Sequence, residues 1–266
     1  MNILKKYFRI YKKLTVRSIV SLMEYKVDFL VGLLGFFTTQ IIGIFTLNVI
    51  FEQIPELNGW KYSEVLLVYA MAQIPKGIDH LLTDNLWLLS NRTIVRSEFD
   101  KYLLRPINPL FYFLAEKFQT DAIGEILIGV IILLYSIINL QIKITLFRVI
   151  TFVLFIVCGT IIYFSVKLIF ASLAFWFKTS DAILGMVYST SDFAKYPTSI
   201  YPKVIKNIIS FILPFAFTAY YPAAYLINRE TMFTCLAGMI GSSIGILIIA
   251  MSIWKAGINA YEGAGN

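Results

Sequence analysis

The residues of this chain that could do chemistry are few, and most sit where charge is costly. Lys76 and Asp79 lie near the end of one apolar stretch, Asp121 and Glu125 at the start of another, and Lys167 deep inside a third. Lys76 and Asp79 are three residues apart, so on a helix they can pair with each other. Asp121 and Glu125 share a helical face. A bare charge at Lys167 would cost about 3 kcal/mol or more in lipid unless it snorkels or faces a polar cavity. Lys167 is therefore expected to turn toward protein or a cavity. Lys76, Asp79 and Glu125 lie within reach of a boundary, and interfacial placement is their ordinary reading. The five together form a candidate translocation path or intramembrane polar network. His80 is the single histidine. Near a helix end it reads as an interfacial residue, with a proton relay as the sharper alternative.

Covalent chemistry lacks its motifs. There is no G-x-x-x-x-G-K-S/T phosphate loop, so this chain does not hydrolyse nucleotide itself. There is no H-E-x-x-H, and one histidine argues against a histidine-based zinc site. No Ser–His–Asp or Cys–His arrangement is suggested. Cys158 and Cys235 both fall inside apolar runs and read as small buried residues, not as a disulfide framework. The chain is read as a non-enzyme with no catalytic residue, metal or cofactor of its own.

The elements that position these charges are membrane helices. Of 266 residues, 58% are hydrophobic and only 15% charged, with mean hydropathy +0.75; soluble domains carry about 25% charged residues. The apolar residues gather into runs long enough to cross a bilayer. They do not alternate as barrel strands would. The net charge of +7 is concentrated before the first run, in Lys5, Lys6, Arg9, Lys12, Lys13, Arg17 and Lys26, opposed by Glu24 and Asp28. That placement is a topology signal and an attraction for anionic lipid headgroups, not a nucleic-acid site. Met1–Lys26 lacks the uninterrupted apolar core of a cleavable signal, so the first span is expected to act as the insertion signal.

Along the chain, residues 1–28 form a cytoplasmic-interface segment. Ile3, Leu4, Tyr7, Phe8, Tyr11, Leu14, Ile19, Leu22 and Met23 recur at helical spacing over 3–23, with basic residues on the other face. Spans are expected at about 29–51, 63–82, 110–140 (one helix, embedded from near Asp121), 147–177 and 232–254. Ala182–Tyr196 is apolar but short and holds Asp192 and Lys195. The stretch after it carries Pro197, Pro202, Pro214 and Pro222. Two courses give six crossings with both termini cytoplasmic. Either Ala182–Tyr196 contributes to the fifth span and Lys203–Ile227 dips in and returns, or Ile208–Ile227 is the fifth span. Charge counting favours the second, and the prolines favour the first. Outer loops are short and the tail Ala256–Asn266 is too small to fold, so 1–266 reads as one all-α domain.

Between the second and third spans lies a charged, proline-terminated island, Ile94–Pro109. Ile94, Val95, Phe99, Tyr102 and Leu103 fall on one side of a helix, while Arg96 and Asp100, four apart, can bridge on another. Arg105-Pro106 stops the helix and Asn108-Pro109 turns the chain into the next span. A short cytoplasmic helix stiffened at its exit is something a partner can push on. The plainer alternative is a helix resting on headgroups.

These features resemble a known family. V-D-F-L-V-G-L-L-G opens the first span, L-N-G-W-K-Y-S-E-V-L-L-V-Y-A enters the second, and V-R-S-E-F-D-K-Y-L-L-R-P-I-N-P-L-F follows. T-D-A-I-G-E, A-S-L-A-F-W-F, F-A-K-Y-P-T-S-I-Y-P and L-P-F-A-F-T-A-Y-Y-P-A come later. In this order, over nearly the whole chain, they resemble the permease subunit of type-2 ABC exporters of prokaryotes. The resemblance implies six transmembrane helices in the cytoplasmic membrane and a second permease, homologous or identical. It implies a cytosolic ATPase dimer that binds ATP and Mg. It also implies a coupling helix at about Thr93–Leu104, with Val95, Arg96, Glu98, Phe99, Asp100, Lys101, Tyr102 and Arg105 as ATPase-coupling residues. Where many relatives carry glycine, this chain has Glu98. A re-entrant hairpin between the fifth and sixth spans is implied too, which selects the first of the two courses above. The substrate stays open. Two rival readings remain: an ion-coupled secondary carrier using Asp79, Asp121, Glu125 or Lys167, and a membrane scaffold that transports nothing.

Overall fold

The computed structural model describes residues 3–24, 26–120 and 122–262. Asp121 lies outside the described residues, as do the side chains of Ile3, Leu4, Ile19, Leu22, Met23, Glu24 and Asp28. The described residues are helical, with no strand among them. Six long helices carry the architecture: α1 (Ile3–Glu24), α2 (Lys26–Gln53), α3 (Tyr62–Thr83), α4 (Ala122–Asn139), α5 (Leu146–Ser172) and α6 (Met232–Ala260). Among the described residues, four segments are long and apolar enough to cross a membrane: Phe29–Gln53, Ala122–Asn139, Leu146–Phe177 and Met232–Ala260. The pair Lys203–Ile212 and Phe215–Leu226, bent by 72°, makes a fifth if it is one span.

The helix absent from that set, α3, is the centre of the molecule. It is buried without interruption from Val65 to Gly77 and lies against α4 and α5, with α6 on the far side of α5. A helix buried on all sides meets protein rather than lipid, so it can hold Glu64, Gln73, Lys76 and Asp79 at a lower overall apolarity. Small residues let its neighbours come close. A Cβ at Gly77 would stand 3.2 Å from the backbone nitrogen of Ile126 on α4, and one at Gly129 would stand 3.4 Å from that of Ile74. By contrast α2 buries little beyond Gln40 and Leu47. Its exposed Leu30, Leu34, Ile41 and Phe45 form an apolar flank.

Three sequence expectations change here. The helix expected over 110–140 is two pieces, Pro109–Ala115 and α4. Between them the Gln119 N–H donates to the Leu81 carbonyl at 3.2 Å, which turns the chain back onto the end of α3. The last helix runs past Trp254 to Ala260, so the expected unstructured tail begins later. Pro222, expected as a break, sits near the start of the helix Tyr220–Leu226, where a missing N–H costs no hydrogen bond. The other prolines do interrupt: Pro214 lies at the 72° bend, and Pro197 and Pro202 stand immediately before new helical turns.

Candidate functional site

At one end of the bundle the chain leaves α3 and runs through the island before re-entering as Pro109–Ala115. The expected single helix over 93–104 is instead several short pieces. A π-helical turn, Leu89–Thr93, is followed by turns and then by the helix Asp100–Leu103. Ser97 adopts a left-handed backbone, φ 54°, and this breaks the helical register that Ile94 to Leu103 would otherwise share. The Glu98 N–H donates to the Thr93 carbonyl at 2.9 Å and closes the turn. Ion pairs here join Arg92 to Glu98 and Lys101 to Glu116, each at 3.4 Å, where the spacing had allowed Arg96 to pair with Asp100. Asn108 caps the next helix, its Oδ1 accepting the Phe111 N–H at 3.1 Å, with Pro109 at the first helical position.

Because the helix is broken, the expected coupling residues divide into two sets. Phe99 and Tyr102 are buried among the protein's own side chains. Phe99 is the hub of an aromatic cluster. Its ring centroid lies 5.1 Å from Phe175, 5.4 Å from Tyr261, 5.8 Å from Trp254 and 6.4 Å from Phe113. Those rings belong to the end of the α5 span, to α6 and its exit, and to Pro109–Ala115, so one side chain ties the island to three elements. The Tyr102 hydroxyl donates to Glu116, and burial together with that carboxylate pushes its pKa up. The Tyr261 hydroxyl is pushed up to about 12 by burial and by Asp100 beside it. The second set faces outward: Val95, Arg96, Lys101 and Arg105 are exposed, with Glu98 and Asp100 partly so. Leu104, at 85% exposure, is the most exposed large apolar side chain among the described residues; the sequence reading did not single it out.

Directly behind the island lies a cluster of charges. Lys167, fully buried on α5, places Nζ 2.8 Å from Asp79 and 3.0 Å from Asp84. The Tyr188 hydroxyl donates to Asp79 at 2.8 Å, and Thr83 donates to the same carboxylate at 2.5 Å. Lys76 pairs with Asp192 at 3.0 Å, and Lys195 shares that carboxylate at 2.9 Å. His80 Nδ1 meets Glu125 at 2.8 Å. Tyr188 stands among these pairs, with Lys76 and Lys167 5.3 and 5.1 Å from its ring centroid and the His80 ring 5.6 Å away.

Lys76 and Asp79 thus pair with other elements and not with each other. Lys76, Asp79 and Glu125 are 8%, 0% and 3% exposed, so protein surrounds each of them. Protein supplies their partners, which are Asp192, Lys167 and His80 respectively. Lys167 faces protein as its position required. Asp84 and Tyr188 were missed, because they meet the others only through folding. Asp192 and Lys195 were visible as charges in an apolar stretch, but nothing local announced Lys76 as their partner.

At the opposite end Arg229 closes the bent segment onto the loop before α3. Its guanidinium lies 4.4 Å from the Trp60 ring, pairs with Glu64 at 2.8 Å and donates to the Gly59 carbonyl at 2.7 Å. The two ends of the bundle thus differ in chemistry and are joined by the buried helix α3. A family model for ABC-2 family transporter proteins matches residues 34–265. The chain belongs to the ABC-2 transporter family. No curated protein matches it. As an ABC-2 family member it is a multi-pass membrane permease of an ABC transporter, a component that works with an ABC ATPase. The matched residues contain the island, the charged cluster and the Arg229 tie; α1 lies before them.

Proposed function

We propose that this chain is the membrane half of an ATP-driven exporter in the prokaryotic cytoplasmic membrane. The island Ile94–Pro109, with the helical turns from Leu86 that lead into it, receives the stroke of a cytosolic ATPase dimer. ATP and Mg bind that partner, which supplies the energy of hydrolysis. Two permeases, identical or homologous, stand side by side, each with both termini in the cytoplasm. Six crossings result when α3 counts as the second and Asp181–Lys195 contributes to the fifth. The bent pair Lys203–Leu226 is then a re-entrant hairpin on the outer side.

The observation that carries this reading is the seating of Phe99. The exposed rim of Val95, Arg96, Lys101, Leu104 and Arg105 offers a partner both apolar and charged purchase, while Phe99 behind it grips the ends of α5 and α6. A push on the rim therefore moves helices instead of bending a loop. The same push reaches Asp84, two residues before Leu86, and through it Lys167. The ion pairs of Lys167 and Lys76 then re-form in a second arrangement as the permeases rock, and a path opens between them. No residue of this chain makes or breaks a covalent bond.

The test is reconstitution with the co-purifying ATPase, comparing the natural chain with Arg96→Glu combined with Leu104→Ser. Both positions are exposed, so insertion and folding are expected to persist. ATP-driven transport is expected to fall at least tenfold while ATP hydrolysis continues. Unchanged coupled transport would remove the island from this role.

The buried His80–Glu125 and Lys167–Asp79 pairs favour one second reading, an ion-coupled carrier. Transport driven by a proton gradient in vesicles without ATP would select it.

A further inference from the structure

Helix α1 precedes the residues that the family model matches, yet it is built onto the island. Its side chains Tyr7, Ile10, Tyr11 and Leu14 are half-buried, and Ile10 and Leu14 pack against the core that holds Phe99. The Tyr7 ring meets Phe111 edge-on at 4.8 Å, with Tyr11 at 6.5 Å. Lys6 Nζ donates to the Pro106 carbonyl at 3.1 Å, and the Tyr7 hydroxyl accepts the Asn108 N–H at 3.2 Å. Those contacts hold the bend through which the island passes into Pro109–Ala115.

The other side of α1 has a different character. Lys5, Lys12, Lys13 and Arg17 are exposed, and from Ile3 to Met23 the helix contains no acidic residue. Phe8, Val16 and Val20 are exposed among them, Phe8 at 71%. Cations interleaved with bare apolar side chains fit the boundary between anionic headgroups and acyl chains, where each finds its own environment. An acidic protein surface would match the lysines and leave Phe8 unaccounted for.

We propose that the basic face of α1 binds anionic lipid headgroups, and that this binding seats α1 on the island's exit. The stiffness of the bend at Pro106–Asn108 then depends on the charge of the membrane. Its meaning for transport rests on reading the island as the ATPase contact; the binding and the seating do not.

The test uses the full-length chain alone, in nanodiscs of phosphatidylcholine with and without phosphatidylglycerol. Hydrogen exchange is followed in peptides covering residues 104–111, which include the Asn108 N–H held by Tyr7. Phosphatidylglycerol is expected to slow exchange there roughly fivefold, the order of one basic residue's attraction to a charged surface. Raised salt should reverse the slowing. The variant Lys5→Gln, Lys12→Gln, Lys13→Gln, Arg17→Gln should exchange at the fast rate in both lipids. Tyr7→Phe should keep its co-purifying phosphatidylglycerol but lose protection at Asn108. Equal exchange of the natural chain in the two lipids would overturn the proposal and leave the basic face to an acidic protein. So would a lipid response that survives the four glutamines. Should the fourfold variant not fold, the natural chain's lipid and salt dependence still decides. No ATPase takes part, so failure here and failure of the exporter reading are separate results.

Discussion

The aromatic seat of the island and the charged cluster behind it are neighbours built on opposite principles. Phe99 and its ring partners make many weak contacts with little directional demand, so the seat tolerates small tilts and passes displacement on. Lys167, Asp79 and Asp84 make few strong contacts with fixed partners, and a buried charge cannot stay half-paired. On the proposed reading the first arrangement carries motion and the second allows only discrete states. An island joined to the bundle by aromatic packing alone would transmit a graded push. On the proposed reading, the charged cluster behind the island would turn that push into a switch between paired arrangements.

The substitutions that probe this contrast run from large effects to small. Lys167→Met removes the cation that bridges Asp79 and Asp84 and leaves the fully buried Asp79 without that counter-charge. A loss of about 3–5 kcal/mol is expected, read as a lower unfolding temperature in detergent. Adding Asp79→Asn should restore part of it, and equal stability of single and double variants would deny the pairing its role. Phe99→Leu keeps an apolar core but trims the hub. Its stability cost is about 1–2 kcal/mol, while transport per ATP hydrolysed should fall much further. A variant with normal coupling would show that the seat is packing only. Arg229→Gln loses a half-exposed cation–π contact and an ion pair at the far end, worth about 1 kcal/mol. Faster proteolysis of the loop near Gly59 would report it. Arg92→Gln breaks the exposed pair with Glu98 and should change stability by less than about 0.5 kcal/mol. A larger loss would mean that the turn around Ser97 depends on charge and not on its backbone bonds.

Much of this molecule can be read from its residues, and the failures share a cause. Apolar runs place α2, α5 and α6 within a few residues of where they lie, because lipid imposes length and composition on each helix separately. The prolines mark the interrupted stretch after Lys195 for the same local reason. Pairings are another matter. Lys76 has Asp79 three residues away yet bonds Asp192, and Asp79 bonds Lys167, because burial selects whichever partner the neighbouring helix delivers. The island's helical pattern is real in its spacing, but Ser97 turns left-handed and sends Phe99 inward. Nothing in the run from Ile94 to Leu103 reveals that Phe175, Trp254 and Tyr261 await it. Element type and membrane depth are local properties, whereas the charge partners and the aromatic seat exist only once the helices have met.

The central claim is that the island lies on the cytoplasmic side and touches the ATPase through its rim. Leu104→Cys, made in the chain carrying Cys158→Ala and Cys235→Ala, gives a single exposed thiol for a short bifunctional crosslinker in membranes that also contain the ATPase. The account predicts an adduct between permease and ATPase, strengthened when ATP is trapped, and no reaction with an impermeant thiol reagent added to intact cells. Labelling of that cysteine from outside the cell, with no ATPase adduct, would contradict it.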